Sequence, residues 1–415
     1  MYYSCTLELN MAPRIQQKRL LQTLKYASNH VPFYKNRKYS VGGEKNLNDF
    51  PIINKIIIRE QGSRMYSDKI SDSWTHWQNT GGSTGQPLRF PTASLNLLNS
   101  GNETAHQFYL YRKMGYRFGD HICSVDGRRV DDKDLAKGIY WGYNRNTFPY
   151  GKEHFSTLYL NDTTALSYIN KLNKVKPAFL RGYPSGIKSL CEYIVSSRVE
   201  LSFRLKGVYL TSENFDESQR KYISSVFQCP VWGQYGHSEM SIFGYQRPND
   251  KKYYISPFYG YTEILDENGN QVKEGEIGEI VVTGFNNYGL LFIRYMTGDL
   301  AEYGGTLKNG EVVLNSLLGR AADYIVDKNN RKQYLVGLIF GGHLHAFSEI
   351  RHWQIEQHEI GEVIIRIVKD SNWKSQTENE IIQFFMNNGF SPKIEYVDCI
   401  EKTARGKQKF LIQTL

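Results

Sequence analysis

The sequence predicts an α/β fold: a large N-terminal α/β domain with a β-rich portion over residues 1–319, then a small α+β domain over residues 320–415. Three patterns carry this. Strand-like and helix-like segments alternate up to about residue 235, as in a sheet covered by helices. Asn-Gly hairpin signals cluster after residue 250. A β-α-β pattern closes the chain, in "EVIIRIVKD", "ENEIIQFFMNNGF" and "KIEYVDCI".

Taken in order, residues 14–27 read as an amphipathic helix, with Ile15, Leu20, Leu21, Leu24 and Tyr26 among basic residues. Pro32 ends it, because the residue before a proline is driven out of the helical region. Residues 92–114 read as a second helix behind a Gly-rich loop. The alternation then runs through "HICSV", "FSTLYL", "TTALSYINKLNKV", "PAFLRGY", "PSGIKSLCEYIVSSR", "LKGVYL", "ESQRKYISSVF" and "CPVWGQYG". "YGYTEILDENGNQV", "GEIGEIVVTGF" and "GTLKNGEVVL" make the later section mostly β, and "ADYIVDKNNRKQYLV" opens the final domain with a strand pair.

Composition excludes several classes. With 415 residues the chain has room for two or three domains and a large core. Hydrophobic residues at 40% and charged residues at 22% are ordinary for a globular protein. The five cysteines are scattered and form no CxxC pair, which suggests neither a disulfide framework nor a zinc knuckle but reduced, buried thiols in a cytoplasmic protein. The net charge of +9 is spread along the chain with no basic-aromatic motif behind it, so no nucleic-acid partner is expected. No run of about 18 apolar residues is present, so no membrane span is expected. The first residues lack the charged start and apolar core of a secretory signal.

Five stretches carry the candidate chemistry. "NTGGSTGQPLRF" sets Gly81, Gly82 and Gly85 beside Thr80, Ser83 and Thr84. Glycines let backbone N–H groups point into one concavity, hydroxyls add donors, and a following helix N-terminus favours anions. It lacks the Gly-Lys-Ser/Thr ending of a P-loop, and a plain tight turn is the competing reading. "GQYGHSEM" places Tyr235, Gly236, His237, Ser238 and Glu239 together. "RYMTGDL" places Asp299 at a strand-end turn. "LGRAADYIV" places Arg320 three residues before Asp323. "TARGKQKF" puts Lys407 in a Gly-containing loop. Each alone also fits a core, capping or solvated role.

In this order the motifs resemble the adenylate-forming superfamily of acyl-CoA synthetases, luciferases and peptide-synthetase adenylation domains. The resemblance covers nearly the whole chain. It is strongest to the phenylacetate–CoA ligase branch and, within it, to CapK-like proteins associated with capsule and surface polysaccharide. "LLQTLKYASNHVPFYKN", "RGYPSG" and "YGHSE" point to that branch. The resemblance implies that Thr80, Gly81, Gly82, Ser83, Thr84 and Gly85 hold the ATP β- and γ-phosphates, with Arg89 near the place of a family lysine. Ser212, Glu213 and Asn214, in "LTSENF", line adenine, and Tyr235 and Gly236 flank it. Ser238 meets the α-phosphate where the family has threonine. Glu239 holds Mg²⁺, Asp299 accepts from ribose, Arg320 contacts ribose or phosphate, and Asp323 is the hinge. Lys407 is the adenylation lysine on a mobile small domain.

The implied reaction is ATP-dependent activation of a small-molecule carboxylate to an acyl-adenylate, with pyrophosphate released and the acyl group passed to CoA. Transfer to an amine or hydroxyl acceptor, such as a sugar or polysaccharide precursor, is the alternative, and a non-catalytic nucleotide-binding protein is the second. Intact Glu239, Asp299, Arg320 and Lys407 argue against the last. Trp141, Tyr143, Tyr183 and His237 are candidates for the acyl substrate. His343, His345, His352 and His358 raise a metal question, for which surface polarity is the preferred answer. Either a monomer or a homodimer is compatible with the sequence.

Overall fold

The computed structural model describes residues 5–35, 44–69, 75–80, 88–93, 102–143, 151, 153–321, 323–335, 338–339, 349–370, 373–401 and 410–415. The chain divides into two compact units, each built from two separated stretches: Met1–Tyr111 with Gln234–Ala322, and Arg112–Gly233 with Asp323–Leu415.

The first unit is an antiparallel sheet against helices. Its strands run in the spatial order Gly260–Leu265, Ile277–Gly284, Tyr295–Thr306, Val312–Arg320, Tyr253–Ile255 and Phe243–Gln246. The Asn-Gly signals sit where the reading put them, at turns in which Gly269 and Gly310 take φ of 81° and 79°. The opening helix runs from Cys5 to His30, longer than its periodic core, and contains Pro13. Leu20, Leu24 and Ala27 lie on one face and are fully buried. Val31 breaks the helix before Pro32, and Phe33 and Tyr34 of the next short turn join the same core as Phe50, Ile53 and Tyr295. Arg19 and Gln16 fasten the helix to the sheet by donating to the carbonyls of Phe258 and Gly260.

In the second unit, Gly207–Leu210, Phe179–Gly182, Ile122–Asp126 and Glu153–Ser156 are parallel neighbours in that order, and Trp141–Tyr143 closes the edge antiparallel. Val231–Gly233 pairs parallel on the other side of Gly207–Leu210. Helices Ala165–Val175, Pro184–Ser197 and Glu217–Phe227 match the alternation read from sequence. In "RGYPSG" the glycines answer to close packing. A Cβ on Gly182 would lie 2.1 Å from the Val125 carbonyl oxygen, and one on Gly186 would lie 2.4 Å from Thr157 Cγ2. Residues 323–415 contribute a four-stranded sheet in the order Ser391–Tyr396, Glu362–Lys369, Ile350–Gln357, Leu411–Gln413, packed with helix Ser375–Asn387 around Ile355, Ile365, Ile381 and Phe385. No helix among the described residues is long and apolar enough to cross a membrane.

A buried polar latch ties Pro184–Ser197 to Ile350–Gln357. Lys188, 7% exposed, donates to the carbonyls of Ile350 at 2.8 Å and Arg351 at 3.3 Å, and Arg351 donates to Glu192 at 3.0 Å. Removing one member leaves buried partners unpaired, which costs about 3–5 kcal/mol. Lys188→Met is therefore expected to lower unfolding free energy by an amount of that order in urea melts. A loss within the noise of the melt would show that the latch contributes nothing.

Candidate nucleotide site

Strand pairing assembles the centre of the site in the first unit. Asp299 on Tyr295–Thr306 stands directly opposite Arg320 on Val312–Arg320. Directly opposed residues share a face of the sheet, and Arg320 Nε lies 3.0 Å from Asp299 Oδ1. Tyr235, at the end of Val231–Gly236, donates its hydroxyl to Asp299 Oδ2 at 2.7 Å. The Tyr235 ring is buried, and burial, with the Asp299 carboxylate next, pushes its phenol far above the usual range, so it stays a donor. A carboxylate has about four lone-pair positions. Among the described residues, one contact from each of these two partners leaves half of that acceptor capacity open, enough for a vicinal diol.

Glu239 follows in the turn after that strand, where Met240 N–H donates to the His237 carbonyl and Met240 takes a φ of 55°. Its carboxylate is 4% exposed. Tyr295 donates to Oε1 at 3.0 Å, Lys55 Nζ lies 3.6 Å from the same oxygen, and Ser238 Oγ donates to Oε2 at 3.3 Å. His237 Nδ1 is 3.3 Å from Oε2 but not aligned for a hydrogen bond, and among the described residues both buried ring nitrogens have no hydrogen-bond partner. Burial opposes ionisation of Glu239, but His237 and then Lys55 outweigh it and hold the carboxyl well below the usual range. An ionised, buried carboxylate fits Mg²⁺, which takes one or two carboxylates and completes its shell with water and phosphate.

That depression has a stability consequence. A folded value below the unfolded one, about 4.3 for Glu, contributes stability that is fully present above the unfolded value and lost as pH falls through the folded one. In urea melts across pH, wild type should exceed Glu239→Gln above the unfolded carboxylate range. The margin should shrink below about pH 4.3. A margin that grew in acid would contradict the electrostatics.

Thr80 and Leu88 form the neck of the Gly-rich loop. The Thr80 N–H donates to the Leu88 carbonyl and the Leu88 N–H donates to the Thr80 hydroxyl, both at 2.9 Å. The Thr80 hydroxyl thus fixes the loop base. Arg89 lies 4.9 Å over the Trp77 ring. Gly81, Gly82, Ser83, Thr84, Gly85, Lys407, His343 and His345 lie outside the described residues.

The remaining expected residues lie in the second unit. Glu213 Oε2 accepts the Ser185 N–H at 3.1 Å, in the first turn of helix Pro184–Ser197. Ser212 takes a φ of 72°, a strained left-handed conformation for a non-glycine, with Asn214 two residues on. The Tyr183 N–H donates to the Val125 carbonyl. Lys171 Nζ sits 5.4 Å from both the Trp141 and Tyr143 ring centres and donates to the Tyr143 hydroxyl at 3.1 Å. Asp323 accepts from Leu335 N–H at the start of the hairpin Tyr324–Val326. His358 bonds Thr414. Among the described residues neither His352 nor His358 belongs to a group able to hold a metal ion.

Sequence reading missed Lys55 and Tyr295. Tyr295 sits inside the quoted "RYMTGDL" and could have been singled out by its place on the strand that carries Asp299. Lys55 follows an Asn N-cap in an apolar helix start, and nothing local marks it.

Comparison with known proteins decides the kinship. The family model of the CapK C-terminal domain matches residues 335–414. Protein CapK of Staphylococcus aureus is 26% identical over 432 residues, covering 98% of this chain and 90% of that protein. Over nearly its whole length the chain is similar to CapK. Its fold is that of the adenylate-forming ligases. A 2-hydroxyisobutyryl-CoA ligase in the postadenylation state superimposes with a TM-score of 0.73 at 19% identity, over 96% of this chain and 89% of that one. An anthranilate CoA ligase gives 0.53 at 16% identity over 80% and 65%. A benzoate CoA ligase from Burkholderia xenovorans gives 0.52 at 17% over 83% and 69%.

Proposed function

We propose that this CapK-like protein is an ATP-dependent carboxylate ligase that forms an acyl-adenylate and releases pyrophosphate. The observation that carries the reading is the Asp299 carboxylate, held from both sides by Arg320 and Tyr235 with acceptor capacity to spare. Such a group receives the ribose 2′- and 3′-hydroxyls in a fixed orientation, which is how a nucleotide is placed before reaction. The site's second pole is Glu239, with Ser238 and the His237 imidazole beside it. Ser238 and His237 offer polar atoms to the phosphates, and the glycines between Thr80 and Leu88 suit backbone N–H contacts to them. Mg²⁺ held by Glu239 supplies charge compensation for the polyphosphate.

The nucleophile is already a carboxylate anion, so the first step needs no general base. What it needs is positive charge aimed at the reacting oxygens. Lys407 is proposed to supply it from the 320–415 domain by bridging the acid and the α-phosphate, with Asp323 as the hinge.

CoA is the proposed acceptor, because the ligases of like fold act with CoA. An amine or hydroxyl is the alternative acceptor class. Incubating the protein with ATP and panels of carboxylates, crossed with CoA, amines and sugars, separates the two by product mass. A thioester selects the first, and an amide or ester the second. ATP consumption that no carboxylate stimulates would reject both.

A further inference from the structure

Away from the residues assigned to the nucleotide, the second unit brings three metal-ligating side chains together. His121 immediately precedes strand Ile122–Asp126, and Cys123 lies two residues on, so both project to one side of the sheet. The neighbouring parallel strand Glu153–Ser156 pairs Ser124 with His154, which sets Glu153 beside Cys123 on that side. The ligand atoms of His121, Cys123 and Glu153 all lie within 4.8 Å of one another, and His121 Nε2 is 2.7 Å from Glu153 Oε2. The group sits at the amino ends of these strands, whereas ligands of open α/β sheets bind outside the carboxyl ends.

From this geometry we infer a divalent metal site, His121–Cys123–Glu153, suited to Zn²⁺, that cross-links strands Ile122–Asp126 and Glu153–Ser156. The donor set of one thiolate, one imidazole and one carboxylate is the mixed soft and borderline set that Zn²⁺ takes. One thiolate and one carboxylate neutralise the dication, which suits a site where Cys123 is fully buried and the Glu153 side chain is 11% exposed. The His121 side chain, 30% exposed, gives the ion a way in. The His121 backbone is held, its carbonyl accepting the Ala178 and Phe179 N–H groups, and Gly151 packs so closely that a Cβ there would lie 2.6 Å from His121 Cδ2.

Ligand atoms about 3.3–3.7 Å apart surround a tetrahedral zinc with bonds of 2.0–2.3 Å. Small side-chain rotations bring the three there, and water takes the fourth position. Without metal, burial and then Glu153 hold the thiol protonated. Binding forms the Zn–S bond and releases that proton to solvent.

The test uses the full chain, stripped with a chelator and titrated with Co²⁺ and then Zn²⁺. One equivalent should bind, with a cobalt–thiolate charge-transfer band that zinc displaces. Cys123→Ser should abolish the band, and Cys399→Ser, an exposed cysteine elsewhere, should leave it intact. His121→Ala and the isosteric Glu153→Gln should weaken binding by at least the roughly 10–100-fold that loss of an outer-shell partner costs. Absence of stoichiometric binding in the wild type would overturn the proposal, as would a band that survives Cys123→Ser or unchanged affinity in Glu153→Gln. If Cys123→Ser does not fold, the wild-type titration and Glu153→Gln decide.

Discussion

Replacing Asp299 with alanine should cut ATP affinity by about two orders of magnitude or more. Hydrogen bonds to a charged group are worth about 1.5–3 kcal/mol each, and about 1.4 kcal/mol is a factor of ten in affinity. Loss of both ribose contacts therefore reaches that range before any disturbance of Arg320 or Tyr235 is added. Both of those bond Asp299 directly, so the alanine variant also takes a partner from a guanidinium and from a buried phenol. Asp299→Asn separates the effects: it keeps the shape and one acceptor oxygen, and should hold the fold while still binding ATP weakly. Calorimetric titration reads both. Wild-type ATP affinity in a folded Asp299→Asn or Asp299→Ala protein would remove the ribose assignment.

Lys407→Ala should have the largest effect on the chemical step. Removing one preorganised donor from a developing oxyanion costs about 10²–10³ in rate, and a full positive charge at the α-phosphate is worth at least as much. Carboxylate-dependent exchange of pyrophosphate into ATP should fall by orders of magnitude, while ATP affinity, which the proposal assigns to Asp299 and the Gly-rich segment and not to Lys407, stays near wild type. Undiminished exchange would reject the lysine's role.

The sequence made the architecture legible where a single physical rule dominates. The alternation of apolar segments located most of the parallel strands and helices of residues 122–236, although "FSTLYL" overlaps the strand Glu153–Ser156 by only its first two residues, and Asn-Gly marked the turns at Gly269 and Gly310. The strand Ile350–Gln357 was missed, because polar residues share its buried positions with Ile350, Trp353 and Ile355. Gln354, Glu356 and Gln357 are buried there, with Gln357 bridging the Val326 N–H and carbonyl and Glu356 held by Arg366. Polar groups satisfied by distant partners erase the apolar alternation on which strand reading depends.

The site shows the same division. Tyr235, Glu239, Asp299 and Arg320 stand in recognisable phrases, and the fold brings Tyr235 and Arg320 onto the Asp299 carboxylate. Lys55 reaches Glu239 across nearly two hundred residues of chain, a tertiary contact with no local signature. The roles of His121, Cys123 and Glu153 were equally hidden, since the third ligand comes from a neighbouring strand.

The central claim is that the bond broken in ATP lies between the α- and β-phosphorus, under attack by a carboxylate. Analysis of the nucleotide products with and without a panel of acids tests it most directly. AMP and pyrophosphate should appear only when a suitable carboxylate is present, and should vanish in Asp299→Ala. Release of ADP, or cleavage indifferent to any carboxylate, would contradict the account.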